Sequence, residues 1–335
     1  MKRGYLALAL GLVLLAACRR YEDFSLPAPA GEPRPVQWVW KDSGAPVLTR
    51  GPAGSFDSVD ALNPSIVAVQ GRFWNFYSGW DGRQWRTGLA TSADGGRSWT
   101  RHPTPLLAPD PAAGEGDYIS ANGATLHHQG VFLHWYQTGN PPQIALATSP
   151  DALRWTRHGV VLPRGPRGAW DERGVADPYV VAAGGRFYLF HLGQDRARRQ
   201  RLGVAVSADA GRTWTKLRAN PILEIGAPGR FDSLGLGEPA VWTSHGRWWM
   251  LYTGRDRAER RKIGLAVSPD GIHWQRSNEN ALIAGQAPWN SQVVCDPEIL
   301  PLPDGSLQVW YGGGDTPQPA ENLHGQIGLG RLIPR

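Results

Sequence analysis

Two cysteines and two methionines in 335 residues set the first limits on this chain. A disulfide-stapled scaffold needs more cysteines than that, and no Cys-x-x-Cys redox pair is present. Charged residues are scarce at 19%, and the formal net charge of +6 is spread along the chain rather than gathered in a tail. Nucleic acid is therefore not an expected partner. Glycine (42) and proline (28) are abundant, yet no Gly-x-y period accompanies them, which excludes a collagen-like chain. The apolar run from Tyr5 to Ala17 is too short to span a bilayer comfortably. No glycine-rich phosphate loop stands out, and the nine histidines show no ligand spacing. His127 and His128, neighbours on one strand, would point to opposite faces. No metal and no cofactor are therefore expected. What is plentiful is turn chemistry, an apolar fraction of 41% and sixteen tryptophans, a composition that suits many short strands.

The apolar run follows Lys2 and Arg3 and ends in Leu15-Ala16-Ala17-Cys18, which resembles the lipobox of bacterial lipoproteins. That resemblance implies a signal peptide over residues 1–17, cleavage before Cys18 and acylation of that cysteine, so a membrane is an expected partner. Arg19 stands where an acidic residue would retain the protein at the inner membrane, which points to the outer membrane, facing periplasm or exterior. With Cys18 lipidated, Cys295 has no disulfide partner, and stability must come from a packed core. Residues 18–35 are expected to be the lipidated cysteine and a flexible, proline-rich tether, and residues 36–335 one folded domain, a monomer.

Internal repeats decide the expected fold. An aromatic-acidic pair precedes a polar residue, usually followed by proline, in Phe56-Asp57 with Asn63-Pro64, Trp170-Asp171 with Asp177-Pro178, and Phe231-Asp232 with Glu238-Pro239. Trp289-Asn290 with Asp296-Pro297 repeats the pattern, and Asp117-Tyr118 with Asn122-Gly123 is a weaker copy. An alternating aromatic strand follows each time, as in RFWNFYSG, VFLHWYQTG, RFYLFHLG, RWWMLYTG and SLQVWYGG. Then come a strand, a turn and a tryptophan at Trp99, Trp155, Trp214 and Trp274. The polar residues recur at intervals of 55 to 61 residues. Period-2 alternation with about four strands per unit predicts an all-β, five-bladed β-propeller. The fifth unit lacks its tryptophan segment, and the segment from Trp40 to Thr49 matches it. The N-terminal strand is thus predicted to close the last blade.

In a propeller the innermost strands converge on an axial channel. Asn63, Asn122, Asp177, Glu238 and Asp296 are therefore expected to form a ring. Gathered carboxyls disfavour one another's ionisation, which is what glycoside hydrolysis requires of its acid and its ionised partner. Asp57, Asp171 and Asp232 repeat too regularly for distinct roles and are expected to be structural. Trp80 and Trp85 are candidates for a sugar-stacking surface, His191 for a pocket-facing polar group, and Arg255 for an anion contact.

The strings Ala176-Asp177-Pro178, Gly237-Glu238-Pro239 and Cys295-Asp296-Pro297 in a five-unit chain resemble the five-bladed glycosidase superfamily. That superfamily takes in arabinanases, xylosidases, invertases, levansucrases and mannoside phosphorylases. The resemblance runs from about Val36 to the end. It implies a carbohydrate substrate, Glu238 as general acid and Asp177 as the residue that orients it. The blade-one position that holds a base or nucleophile in the hydrolases is Asn63 here, so Asp60 or Asp296 is expected to supply the ionised partner. An inverting, lipid-anchored glycoside hydrolase is the expected function, with a non-catalytic carbohydrate-binding propeller and a mannoside-phosphorylase-like enzyme as alternatives. Some relatives hold a structural calcium in the channel, but no residues here specify one. The Ser-x-Asp-x-Gly-x-x-Trp strings from Ser92 and Ser207 resemble the Asp-box of sialidases, which implies outer turns remote from catalysis.

Overall fold

The computed structural model describes residues 21–335; the expected signal peptide and the lipidation site Cys18 lie outside the described residues. Strands and two short 3-10 turns make up the regular structure among them. The repeats fold as antiparallel strand groups. Ile119–His128, Val131–Thr138, Gln143–Ser149 and Thr156–Leu162 pair in chain order. Gly174–Ala183, Arg186–Gln194, Gln200–Ser207 and Thr215–Leu217 do the same. So do Gly235–Ser244, Arg247–Arg255, Arg261–Ser268 and Gln275–Arg276. The first group opens on a strand broken at Asn63 into Asp60–Leu62 and Ile66–Val69, both paired with Arg72–Trp80. Trp85–Ser92 and Thr100–Arg101 complete it.

The last group, Val293–Pro301, Leu307–Gly314 and Gln326–Pro334, takes its fourth strand from the N-terminal side of the chain. Trp38–Leu48 lies antiparallel to Gln326–Pro334, with Trp40 opposite Leu332 and Lys41 opposite Arg331. Hydrogen bonds join the groups into a 13-stranded and a nine-stranded sheet, not into one continuous ladder.

The second strands are buried on both faces, and their aromatics tie neighbouring groups together. Trp135 and Trp310 are fully buried, and their indole N–H groups donate to the Gly211 and Gly96 carbonyls of outer turns in adjacent groups (3.0 and 3.1 Å). Only glycine fits there, because a Cβ on Gly211 would stand 2.3 Å from the Trp135 ring. Most tryptophans are thus committed to packing, as their repetition suggested.

A buried carboxylate clamp recurs beneath this packing. Asp57 accepts from the Tyr77 hydroxyl (2.7 Å) and Arg101 Nε (3.0 Å), and Asp232 accepts from Tyr252 (3.0 Å) and Arg276 (2.6 Å). Asp171 pairs with Lys216 at 2.5 Å. In the second group the clamp residue is Glu115, bonded to Tyr136 and Arg157, rather than the Asp117 of the sequence pattern. Asp57, Glu115 and Asp232 tie the second and fourth strands of their groups together, Asp171 holds only its fourth strand, and all four are spent on structure. His191 takes the tyrosine's place in the third clamp. It is fully buried and packs on Trp170 at 5.5 Å, so it does not face a pocket as expected.

The proline-rich segment expected as a flexible tether is docked over residues 21–35. Tyr21–Glu22 pairs in parallel with Thr215–Leu217. Leu26 is buried against Gly271, where a Cβ would come within 2.7 Å of it. Trp248 Nε1 donates to the Pro27 carbonyl (3.3 Å), and the Gly246 amide donates to Ala30 (3.2 Å). Proline removes donors but leaves acceptors. The segment therefore binds through its carbonyls, which composition alone does not reveal.

Candidate active site

Asn63, Asn122, Asp177, Glu238 and Asp296 share one unusual backbone state, with φ between 48° and 53°. Left-handed backbone at a non-glycine residue costs about 1–3 kcal/mol and persists only where the surroundings impose it. In four of the groups the strand register slips at this residue, between Ala121 and Ala124, Ala176 and Tyr179, Gly237 and Ala240, and Cys295 and Glu298. In the first group the strand breaks there. A bulge of this kind re-aims a side chain out of the ladder. At the second position glycine replaces the usual proline, because the His134 ring lies 2.3 Å from where a Gly123 Cβ would be.

The five side chains line one cavity of about 200 Å³, together with Trp85, Tyr118, Gln137, Gln194, Gln200, Thr253, Arg255, Arg261 and Cys295. Asp296 is its most tightly held member. Its Oδ1 accepts from Asn63 Nδ2 (2.8 Å), and its Oδ2 accepts from the Asn63 amide (3.1 Å) and the Cys295 thiol (3.1 Å). The Asp296 amide in turn donates to Thr253 Oγ1 (3.1 Å) and Glu238 Oε2 (3.4 Å). Glu238, Cys295 and Asp296 each direct one ligand atom into a cluster whose members lie within 4.8 Å of one another. That trio is the group among the described residues with the atoms to hold a metal ion. Asp177 lines the same cavity, and the charge of Glu238 acts on its carboxyl. Asn122 accepts from Ser78 Oγ (3.0 Å) and its amide donates back (2.9 Å), so this member is fixed as a neutral wall.

Burial, and then the charge of Glu238, push Asp177 up to about 8. The same two causes raise Asp296 well above the usual carboxylate range. Deeper in the channel, burial alone raises Glu298 to about 8, against the Ile66 amide that its Oε1 accepts at 2.9 Å. These groups hold protons in the folded chain at a pH where the unfolded chain has lost them. The stability they contribute is complete below about pH 4, the unfolded value, and is lost as pH rises through about 8. The melting temperature is therefore expected to fall between about pH 5 and about pH 8.5, and Glu298→Gln should flatten that fall. A melting temperature that rises over this interval would contradict the protonated channel.

Asp60 does not reach the cavity. Its carboxylate accepts the Asn322 and Gly325 amides (2.7 Å each) and fixes the 315–325 loop, so it cannot be displaced into the role of base. Trp85 lines the cavity, but Trp80 stands behind it at 5.3 Å, and both are at least 95% buried. They wall the site rather than offer an open stacking face. Arg255 is on the wall as expected. Gln137, Thr253 and Arg261 were not singled out from the sequence. The first two each follow the second-strand tyrosine directly, at Tyr136 and Tyr252, and that register was the available signal.

An inverting pair of carboxyls stands roughly 6.5–9.5 Å apart to admit a water, whereas oxygens of Glu238 and Asp296 lie within 4.8 Å.

Comparison with known proteins agrees with this architecture. An uncharacterised protein of Mycobacterium tuberculosis is 28% identical over 233 residues, covering 66% of this chain and 76% of that one. A levanase of Bacillus sp. (strain L7) is 26% identical over 184 residues, 49% of this chain and 19% of the levanase. Among solved structures, a glycoside hydrolase superposes with a TM-score of 0.70 at 16% identity, covering 87% of this chain and 92% of that one. The beta-1,2-mannobiose phosphorylase from Listeria innocua, in complex with beta-1,2-mannobiose, gives 0.68 at 15% identity over 89% and 96%. The fold is the β-propeller-like fold of these glycoside hydrolase structures. The model of the BNR repeat-like domain matches residues 47–279, and the chain belongs to that family.

Proposed function

We propose that this protein is a five-bladed propeller, its last blade completed by Trp38–Leu48, that hydrolyses glycosidic bonds of an extracytoplasmic oligo- or polysaccharide. The observation that carries the proposal is the convergence of Asp177, Glu238 and Asp296 from successive strained bulges on one cavity, with Glu238 and Asp296 oxygens within 4.8 Å. Glu238 is the general acid. Asp177 fixes it from one side, and Asp296, seated on Asn63, is the partner carboxylate. Burial raises Asp296 well above the usual carboxylate range, so it acts only where the pH is high enough to ionise it. With Glu238 and Asp296 this close, direct attack by Asp296 fits better than a water between them, and net retention of configuration is expected. Incubation with a panel of plant and microbial glycans, followed by proton NMR of the first sugar released, tests both claims. An inverted product would assign the attacking role to another group. Release that requires added phosphate would favour phosphorolysis, and saturable binding without any release would favour a binding propeller.

Lipid anchoring through Cys18 completes the proposal, supported by the lipobox resemblance. Cys18→Ser is expected to abolish lipid labelling and to release the protein from membranes. Unchanged retention would refute the anchor.

A further inference from the structure

Two arginines on the cavity wall are placed as a pair, and only one of them is fully served. Arg255 bonds Glu259 through Nη1 (2.9 Å) and Gln200 through Nη2 (2.8 Å), and its Nη1 also reaches the Pro319 carbonyl (3.1 Å). Arg261 Nη2 donates to that same carbonyl at 2.8 Å, so the two guanidinium groups flank one oxygen. Arg261 is 8% exposed, and its Nη1 has no hydrogen-bond partner. Both side chains line the cavity that holds Glu238.

We propose that Arg261, flanked by Arg255, forms an oxyanion subsite in this cavity, beside the Glu238–Asp296 pair. The occupant is a carboxylate borne by an acidic sugar or a free phosphate; the shared chemistry is a planar or tetrahedral oxyanion that accepts from Arg261 Nη1. The inference rests in part on the proposed function, which supplies the sugar.

Two observations support it. A buried guanidinium with an orphaned N–H is costly unless something completes it, and it recognises oxyanions with a directed fork. Burial lowers Arg255 below the ordinary arginine range. Glu259 opposes that shift, and the neighbouring Arg261 charge adds to it. A pair of cations held together against their repulsion on a cavity wall is arranged for an incoming anion.

The test uses the Glu238→Gln chain, so that binding is read without turnover. Calorimetry and thermal shift would compare disaccharides ending in glucuronic or galacturonic acid, their neutral glucose and galactose counterparts, and inorganic phosphate. The acidic disaccharides or phosphate should bind at least tenfold more tightly than neutral sugars and raise the melting temperature. Arg261→Met should erase that preference without lowering the melting temperature of the unliganded chain, since it removes a buried charge that lacks a full partner. Arg261→Lys, which keeps the charge, should retain part of the preference. Tight binding of acidic sugars alone makes the glycan the source, and tight binding of phosphate alone makes the source phosphate. Equal affinity for charged and neutral ligands would overturn the subsite. So would an Arg261→Met chain that melts lower yet still binds anions. Anion binding through Arg261 in a wild-type protein that cleaves no glycan would sink the glycosidase function and leave the subsite standing.

Discussion

Replacing Glu238 by glutamine is expected to lower turnover of natural glycans by about 10²–10⁴-fold, the usual contribution of a positioned general acid. The amide keeps the volume of the side chain and the left-handed bulge, and it can still accept from the Asp296 amide. What it cannot do is deliver a proton to the leaving oxygen. Aryl glycosides with acidic leaving groups need little such help and should keep much of their rate, so the ratio of the two activities is the informative quantity. A folded Glu238→Gln protein that cleaves glycans at the original rate would place the acid elsewhere. The substitution also removes the charge that raises Asp177 and Asp296. Both should then ionise at lower pH, and the acidic limb of any residual activity, which the ionisation of Asp296 sets, should move downward.

The second large effect concerns the chain's N-terminal strand. A protein beginning at Thr49 is expected to lose cooperative unfolding or to aggregate. A protein beginning at Pro35 should stay folded, with a lower melting temperature than the chain beginning at Arg19. Trp38 packs edge-on against Trp242 and Trp249, with centroids at 5.5 and 5.7 Å, and Trp40 meets Tyr311 at 5.7 Å. Truncating a buried tryptophan costs about 3–5 kcal/mol, and the whole stability of a domain is only about 5–15 kcal/mol. The shorter loss removes Leu26 and the carbonyl bonds of Pro27 and Ala30, which are peripheral by comparison. It would leave the strand pairing intact, whereas the longer loss exposes Gln326–Pro334 as an unpaired edge. Thermal and dynamic light-scattering measurements on the two truncations would decide the matter. Equal melting temperatures would show that the strand is dispensable.

Much of the site was legible because repetition aligns chemistry. Five polar residues at one position of a repeat converge on the channel whatever their loops do, and that is where the structure holds them. The pairing of the N-terminal segment with Gln326–Pro334 was legible for the same reason, since Trp40 continues a pattern that the last group lacks. What escaped depends on loops and on substitutions within the repeat. Asp60 lies three residues from the ring in sequence, yet the 315–325 loop folds back to claim its carboxylate. His191 sits at a tyrosine position, and in the third clamp it is buried beside Asp171 and Lys216. Arg261 starts a third strand, and its reach into the cavity depends on where Pro319 of a distant loop comes to rest. The tether was misjudged because composition counts prolines as breaks and does not see their carbonyls.

The pairing of Trp38–Leu48 with Gln326–Pro334 has a consequence in time. A strand made near the start of the chain must wait for the last one. At about 5–20 residues per second, roughly 300 residues take about 15–60 s to appear. Throughout that interval an aromatic strand edge with no partner is exposed to solvent and to other chains. Chaperone dependence and yield on refolding at high concentration should therefore be set by this seam. A circular permutant that joins the two ends and opens the chain in an outer turn would shorten the wait to the time of a local hairpin.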